Sequence, residues 1–297
     1  MKSKFRNPTG EGKRREADDT GMGTREWFLG KLIPWSPFLC QLSVFSAVMF
    51  LALCTTCSAA APPGMAVIPD GLYRPLFRND KDAKELPVKS FALDLHPVTN
   101  MEFLEFVRAN PRWRRSQVKR LFADENYLKH WSGDLEPGAA VTTNAPVTWV
   151  SWFAAKSFAQ WAGKRLSTTA EWEYVAAASS TRPDGENDPE FKKQIAAWHS
   201  SPSPERLPPV GTGRANYFGV HDLHGLVWEW VADFNTAMVT GDARGDSGLE
   251  RQLFCGSGSQ GAKDVSDYAA FMRFGFRSSL KADYTVHNLG FRCAKDL

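Results

Sequence analysis

The chain has 297 residues, of which 43% are hydrophobic and 23% are charged, a composition typical of folded globular proteins rather than disordered or fibrous ones. The first 60 residues hold eight of the 36 basic and five of the 33 acidic residues, so 28 of each remain in the rest of the chain. This balance excludes the broad basic surface with which proteins bind nucleic acid, and we expect no nucleic-acid partner.

Residues 1–60 have the layout of a leader with a signal peptide. An uncharged apolar run at residues 43–53 follows Arg25 and Lys31, and a small-residue site ending at Ala60 comes after it. We predict cleavage after Ala60 and a periplasmic or secreted protein. The run is short for a membrane span, which needs about 20 residues, so contact with a membrane is expected only if the leader stays uncleaved.

Only two cysteines, Cys255 and Cys293, lie beyond this leader. In an oxidising compartment such a pair forms either a structural disulfide or two buried free thiols, and the sequence leaves both alternatives open.

The first part of the remaining chain predicts strands and one helix. Short strands are expected at residues 65–71, where Pro and Asp-Gly form a turn, and at residues 86–95, where polar and apolar residues alternate. A capping box that begins at Thr99 predicts a helix over residues 100–109, and Pro111 should end it.

A charged and aromatic stretch at residues 113–138 is predicted to be a surface excursion. It is followed by a predicted strand at residues 146–151 and a helix over residues 152–162. Gly163 supplies the left-handed residue that commonly ends a helix.

A second capping box predicts a further helix, over residues 169–178. The helical spacing of apolar residues places Trp161, Trp172 and Tyr174 in the core. Residues 179–209 are rich in Ser, Pro and charge, so we predict a loop there.

Four segments of the chain resemble the sulfatase-modifying factor, or formylglycine-generating enzyme, family. They are residues 161–166, 219–230, 255–257 and 288–294, and the resemblance spans residues 65–297. It implies a single α+β domain over residues 61–297, with the irregular C-type-lectin-like fold of that family. The many Trp and Phe residues agree with a fold built on aromatic packing and little regular secondary structure.

The resemblance also indicates that the cysteines used by the family's oxidases are missing. Oxidases of the family hold copper(I) with two cysteine thiolates, activate oxygen and convert a sulfatase cysteine to formylglycine. Aligned backwards from Arg292 and Cys293, the two cysteine positions fall near Asp264 and on Ala269, and residues 258–276 contain no cysteine. Because a soft cuprous ion needs soft sulfur ligands, we expect neither copper nor the family's catalytic residues.

The cleft of the family is better preserved. Ser257, Trp228 and Asn288 match positions that line the peptide-binding cleft, although each has an ordinary structural role as its alternative. Tyr268 and Arg273 lie in the same region of the sequence, and a mixture of aromatic and arginine side chains suits a peptide or anionic ligand.

A calcium site is implied by a second family motif. Its ligands are a side-chain oxygen, two backbone carbonyls and a glutamate, which here match Asp222, Gly225, Val227 and Glu229. Calcium prefers six to eight oxygen ligands, and a glycine lets the chain turn tightly around the ion. The alternative is a turn capped by Asp222, with Glu229 paired to an arginine.

The function predicted from the resemblance is that of a periplasmic accessory or maturation factor. Residues 267–282 look most like the group that is encoded beside copper nitrite reductases in denitrifying bacteria, so the expected partner is a periplasmic copper enzyme or a peptide. Two alternatives remain. One is an oxidoreductase that acts on a peptide or siderophore-type substrate without the cysteine pair, and the other is a calcium-stabilised binding module.

Overall fold

Eight short strands and five helices make up the regular structure of the part of the chain described by the computed structural model, which is residues 61–75, 85–139, 141–235 and 265–297. The strands are β1 (Met65–Ile68), β2 (Gly71–Tyr73), β3 (Leu86–Val88), β4 (Phe91–Asp94), β5 (Arg165–Leu166), β6 (Trp228–Trp230), β7 (Leu289–Phe291) and β8 (Cys293–Asp296). The helices are α1 (Asn100–Ala109), α2 (Trp152–Trp161), α3 (Thr169–Ala176), α4 (Pro189–Ser200) and α5 (Val265–Ser278), with a 3-10 turn at Pro111–Trp113. This mixture confirms the predicted α+β class with little regular structure.

The strands form three small sheets. The largest has the order β1-β4-β8-β5 and is antiparallel, with Leu93 opposite Ala294. Strands β2 and β3 form an antiparallel pair, and β6 and β7 form a parallel pair in which Trp228 lies opposite Leu289. The parallel pair brings two of the family-like segments side by side.

Aromatic rings fill the core between α1, α2 and β7. Phe103 and Phe158 stack with ring centroids 5.8 Å apart, and Phe158 meets Phe291 edge-on at 5.3 Å. All three side chains are buried, and each contributes about 1.5–3 kcal/mol of hydrophobic stabilisation. The prediction of aromatic packing is therefore confirmed.

The predicted helix caps are confirmed as well. The Thr99 side chain accepts from the backbone N–H of Glu102, whose carboxylate accepts from the backbone N–H of Thr99, and α1 spans the predicted residues. Thr168 and Glu171 repeat this arrangement at α3. Gly163, with φ of 67°, follows α2 as the left-handed residue.

Two strand predictions were wrong. The segment predicted as one strand, residues 86–95, contains both β3 and β4, because the chain turns at Ser90, whose backbone N–H donates to the Asp70 carboxylate at 2.5 Å. Residues 146–151 form no strand and pair only through an isolated bridge between Pro146 and Thr99.

Residues 179–209 are not all loop, because α4 lies within them. Asp188 accepts hydrogen bonds from the backbone N–H groups of Glu190 and Phe191, and Pro189 occupies the first helical position, which is where proline is tolerated. The turn-forming composition of the flanking residues hid this helix. Its position matters because its C-terminal half lies beside β6.

The predicted surface excursion and one predicted core residue also need correction. Tyr127, Leu128 and Trp131 are buried, and the indole N–H of Trp131 donates to the side-chain oxygen of Asn100 at 3.1 Å, so the excursion inserts into the core. Trp161, predicted as core, is 47% exposed, since it lies at the end of α2.

The close approach of β7 to the loop before α2 gives a testable expectation. A Cβ atom at Gly290 would lie 2.7 Å from the backbone oxygen of Val147, so Gly290→Ala must shift the backbone and should lower the free energy of unfolding by about 1–3 kcal/mol. Gly275→Ala is the control: it meets no atom within 4 Å in α5 and should stabilise by about 0.5–1 kcal/mol. Urea denaturation measures both, and equal effects would contradict the expectation.

The described residues lie in one compact unit, which extends over Cys57–Leu297. No helix in the described ranges is both long and apolar enough to cross a membrane. The predicted leader, residues 1–60, lies outside the described residues.

Candidate functional site

A small pocket lies where α3, α4, α5 and β6 meet. Its lining includes Trp172 of α3, Trp198 of α4, Trp228 of β6, and Arg273, Phe276 and Arg277 of α5. Trp228 stacks on Phe276 with ring centroids 4.7 Å apart at an interplanar angle of 29°, and Trp198 lies 5.0 Å from Trp228. The pocket therefore has flat apolar walls, two cationic side chains and one carboxylate, that of Glu229.

Two arginines share one buried carboxylate beside this pocket. The Nε and Nη2 atoms of Arg273 donate to the Glu173 carboxylate at 2.9 and 2.7 Å, and Nη1 of Arg277 donates to it at 2.6 Å. Burial by itself would raise the pKa of Glu173, but the two guanidinium groups outweigh it and hold the pKa at about 2. Glu173 is therefore ionised at neutral pH.

The indole ring of Trp172 contacts two charged clusters. One is Glu173 with its two arginines, and the other is the pair of Glu229 and Arg292. The guanidinium carbon of Arg277 lies 4.8 Å from the ring centroid and that of Arg273 lies 5.4 Å from it, within the range of cation–π attraction. The Trp172 indole N–H donates to Oε2 of Glu229 at 2.7 Å. Trp172, which lines the pocket, therefore contacts both charged clusters.

Glu229 and Arg292 form the second cluster, and both side chains are fully buried. Nε of Arg292 donates to Oε2 of Glu229, and Nη2 donates to Oε1, each at 2.8 Å. Arg292 also donates to the backbone oxygens of His221 and Asp94. This is the arginine pairing that the sequence left open as the alternative for Glu229.

These contacts do not fit Glu229 as a calcium ligand. Arg292 already neutralises the carboxylate, and a divalent cation there would meet a guanidinium group. Oδ2 of Asp222, the other predicted side-chain ligand, accepts from the backbone N–H of Gly211 at 2.5 Å. Among the described residues, no three His, Cys, Asp or Glu side chains group closely enough to hold a metal ion. Calcium binding through Asp222, Gly225, Val227 and Glu229 stays a prediction.

Removal of calcium distinguishes that prediction from the alternative, the arginine pairing, which the described contacts favour. Because Arg292 neutralises Glu229, we expect dialysis against EGTA to leave the thermal midpoint of the protein unchanged. Calorimetry with and without added calcium measures it. A fall on chelation that calcium restores, and that Asp222→Ala abolishes, would show that calcium binds despite this pairing.

Two histidines lie near the pocket with one unpaired ring nitrogen each. Nε2 of His224 contacts the backbone oxygen of Ala176 at 2.8 Å, so it carries the proton, and Nδ1 has no partner in the described structure. Nε2 of His199 has none either. Burial, and then the charge of Arg273, lowers the pKa of both histidines, that of His224 to about 4. Both rings are therefore neutral at pH 7.

Buried neutral histidines predict sensitivity to acid. Burial lowers the pKa of His130, as of His224, to about 4, whereas an unfolded histidine has a pKa of about 6.5. Between these pH values the unfolded chain binds more protons than the folded one, so stability is lost as pH falls from about 6.5 to about 4. We expect a loss on the order of 3 kcal/mol for each histidine across this window.

Urea denaturation at pH 7 and pH 5 measures this loss. His224→Gln and His130→Gln should each reduce the difference in stability between the two pH values, and the exposed His287→Gln should leave it unchanged. The same pH dependence in all three variants would contradict the assignment.

The structure brings together four of the residues that the sequence assigned to a cleft. Trp228 and Arg273 line the pocket, and Tyr268, 42% exposed, has its ring 6.2 Å from that of His199. The backbone oxygen of Asn288 accepts from the backbone N–H of Trp228 at 2.8 Å. Ser257, the fifth predicted cleft residue, lies outside the described residues.

Ala269 and Cys293 are the two described residues that bear on the family's thiol positions. Ala269, which matches one family cysteine, is fully buried in a cluster with Phe191 and Ile195 of α4. Cys293 is fully buried in β8, and its backbone N–H donates to Asp94 at 2.8 Å. Burial, followed by the charge of Asp94, raises the pKa of the Cys293 thiol well above its ordinary value, so it is protonated. Cys255 and Asp264 lie outside the described residues.

The sequence reading missed Glu173, Trp198 and His199. Trp198 and His199 fall in the segment that was predicted to be loop. Glu173 had a usable signal, since it lies between buried Trp172 and Val175 on a predicted helix, where an acidic residue needs a cationic partner.

Comparison with known proteins gives matches over most of the chain. Residues 52–297 match the family model described as "Sulfatase-modifying factor enzyme 1-like domain". The chain is 29% identical over 252 residues to a Bos taurus protein named "Inactive C-alpha-formylglycine-generating enzyme 2", covering 71% of this chain and 79% of that protein.

It is also 34% identical over 163 residues to "Serine/threonine-protein kinase pkn1" of Chlamydia caviae, covering 53% of this chain and 25% of the kinase. The chain thus spans a quarter of that relative's length. A solved structure of PvdO from Pseudomonas aeruginosa matches 78% of this chain and 94% of its own with 22% identity and a TM-score of 0.45.

Proposed function

Because the chain belongs to the sulfatase-modifying factor enzyme 1-like family, we propose that this formylglycine-generating-enzyme-like protein is an accessory or maturation factor that binds a ligand without oxidising it. It acts in the periplasm, and its partner is a copper enzyme such as nitrite reductase, or a peptide. The likeness of residues 267–282 to the nitrite-reductase-associated group supports this partner.

One observation carries the non-oxidising role. Ala269, at a position where the family's oxidases have a cysteine, is an apolar side chain buried against α4. No cysteine occurs in residues 256–292, and the thiol of Cys293 is enclosed in β8 with a raised pKa. A copper(I) site needs exposed thiolates, so these residues offer no ligand pair for it. A relative that is named inactive agrees with a family that has members without oxidase activity.

The pocket supports a binding role. Its walls combine three tryptophans with two arginines, the residue types that most often anchor a partner. The same observation favours a pure binding module as the second candidate. The oxidoreductase alternative would need a redox group, and no three His, Cys, Asp or Glu side chains in the described ranges lie close enough together to hold a redox metal.

A peptide assay tests the loss of oxidation. The full chain, supplied with copper and oxygen, should form no aldehyde from a cysteine-containing sulfatase peptide, whereas an active formylglycine-generating enzyme converts it under the same conditions. Aldehyde that increases in proportion to the amount of this protein would disprove the non-oxidising role.

A second assay tests the partner. Copper-free nitrite reductase is incubated with limiting copper, with or without the full chain, and its nitrite-reducing activity is followed over time. We expect the chain to speed the recovery of activity and Trp228→Leu to weaken that effect. Equal recovery with and without the chain would reject the accessory role and leave the binding module.

A further inference from the structure

A turn that follows α1 carries two apolar side chains at the protein surface. The backbone N–H groups of Phe122 and Ala123 both donate to the backbone oxygen of Lys119, at 2.8 and 3.3 Å, so residues 119–123 form a closed turn. Leu121 is 74% exposed and Phe122 is 36% exposed. One exposed leucine is ordinary on a protein surface, so the meaning of this turn depends on what surrounds it.

Aromatic rings extend the apolar surface away from this turn. The Phe122 ring lies 5.5 Å from that of Phe153 and 6.0 Å from that of Trp113. From Trp113 the row of rings continues through Phe106, 6.4 Å away, to Trp161, which lies 5.7 Å from Phe106 and is 47% exposed. Phe122 and Trp161 are therefore exposed ends of one connected row.

The outer face of α2 continues the same surface. The buried residues of this helix are Ala154, Ala155, Phe158 and Ala159, which form its inner face. At 100° per residue, Phe153 and Trp161 lie on the opposite face, with Lys156 and Gln160 between them. The apolar surface thus runs along α2 from the ring that contacts Phe122 to the exposed tryptophan.

Exposed basic side chains border these rings. The guanidinium carbon of Arg112 lies 5.8 Å from the centroid of Trp113, and Lys119 and Arg120 directly precede the apolar end of the turn. Lys156 is exposed on α2. Residues 111–123 contain five basic residues and no acidic one. This part of the surface is therefore basic, although the chain beyond the predicted leader has equal numbers of basic and acidic residues.

Two carboxylates offset part of this charge. Glu125 lies 3.8 Å from Arg120, but the two side chains are 75% and 71% exposed, and such pairs are weak in water. The charges of Arg114 and Arg115 act on Asp134, so these two arginines contribute less to the surface. Excess positive charge remains around the turn and along α2.

We propose that this basic and aromatic face, formed by the turn 119–123 and the outer side of α2, docks the folded domain on an anionic phospholipid surface. Leu121 and Phe122 enter the boundary between headgroups and acyl chains, and Trp161 lies at the level of the headgroups. Arg112, Lys119 and the other bordering cations contact the lipid phosphates. The leader offers one route to a membrane, and this face is a second route that does not depend on it.

The shape of the face favours a lipid surface over an acidic protein. Its most exposed apolar residue, Leu121, lies in a turn rather than in a groove. A protein partner would need a matching pocket to bury this side chain, whereas a lipid layer deforms around it. The long side chains of Lys119 and Arg120 can keep their charges in water while the neighbouring leucine is buried.

Hydrogen exchange of the full chain on lipid vesicles tests the proposal. Vesicles of phosphatidylcholine and phosphatidylglycerol in equal amounts should slow exchange over residues 111–123, and vesicles of phosphatidylcholine alone should not. Residues 71–73, which include Leu72 at 56% exposure, serve as the reference surface and should exchange at the same rate in both samples. Because this readout is local, attachment through residues 1–60 cannot imitate it.

Substitutions separate the apolar and the electrostatic parts. Leu121→Ser should raise the lipid concentration for half-maximal protection by about tenfold, and Arg120→Gln should raise it by about fivefold. Leu72→Ser and Lys89→Gln change exposed residues outside this face and should alter it by less than about twofold. A thermal melt of each variant reports folding, which these exposed positions should leave intact.

Several outcomes would overturn the proposal. They are equal exchange over residues 111–123 with and without phosphatidylglycerol, equal effects of Leu121→Ser and Leu72→Ser, and protection that appears only when polyglutamate replaces the vesicles. The last result would assign the face to an acidic protein instead. The nitrite reductase assay contains no lipid, so failure of membrane docking leaves the proposed accessory role untouched.

Discussion

Replacing Glu229 with alanine should lower the free energy of unfolding by about 3–5 kcal/mol, because it leaves Arg292 as an uncompensated buried charge. Both side chains are fully buried and share two hydrogen bonds of 2.8 Å. The Trp172 indole N–H would lose its acceptor as well. Urea denaturation at pH 7 measures the loss, which is a large fraction of the stability of a typical domain.

The exposed pair of Arg74 and Glu85 supplies the control for Glu229→Ala. It has the same separation of 2.8 Å, but the Arg74 side chain is 68% exposed and the Glu85 side chain is 36% exposed. Glu85→Ala should therefore change stability by no more than about 1 kcal/mol. If both variants lose a similar free energy of unfolding, burial does not determine how much the Glu229–Arg292 pair contributes to stability.

Glu173→Ala should have an effect of similar size, at least about 3–5 kcal/mol, because it leaves two guanidinium groups without their shared carboxylate. The acid response gives a second readout. The two arginines lower the pKa of Glu173 to about 2, so the stability this group contributes is present above the unfolded pKa of about 4.3 and is lost as pH falls toward 2.

Glu105→Ala is the control for Glu173→Ala. Glu105 pairs with Arg108 at 2.6 Å, but the Glu105 side chain is 56% exposed and the Arg108 side chain is 50% exposed. The control should lose less than about 1 kcal/mol and should keep the wild-type acid response below pH 4.3. Denaturation series at pH 7, 4 and 3 distinguish the variants, and a wild-type acid response in Glu173→Ala would contradict the assigned role.

The two ion-pair clusters explain how the walls of the pocket keep their positions. Trp172 contacts Arg273 and Arg277 through its ring and Glu229 through its indole N–H. Arg273 and Arg277 come from α5, Arg292 lies between β7 and β8, and Glu173 lies on α3. Charged hydrogen bonds therefore join parts of the chain that are distant in sequence, and this fixes the position of the pocket walls.

Local sequence signals determined the helix starts. At Thr99 and Thr168 the capping box closes within four residues, so the pattern specifies the cap wherever the helix packs. Other local signals failed. Alternation of polar and apolar residues at 86–95 did not reveal the turn at Ser90, whose backbone N–H donates to Asp70, and the turn-forming residues around α4 concealed that helix. In both segments, residues outside the local pattern determined the secondary structure.

The sequence by itself determined the class of fold through its resemblance to the family, and it determined the caps of α1 and α3 and the absence of cysteine from the segment 256–292 because these depend on adjacent residues or on composition alone. Only the tertiary structure decided that Glu229 pairs with Arg292 and that Glu173 pairs with Arg273 and Arg277. These partners are separated by 63 to 104 positions along the chain. A buried carboxylate needs a cationic partner, but the identity of that partner depends on the position of each helix and strand, which local sequence does not specify.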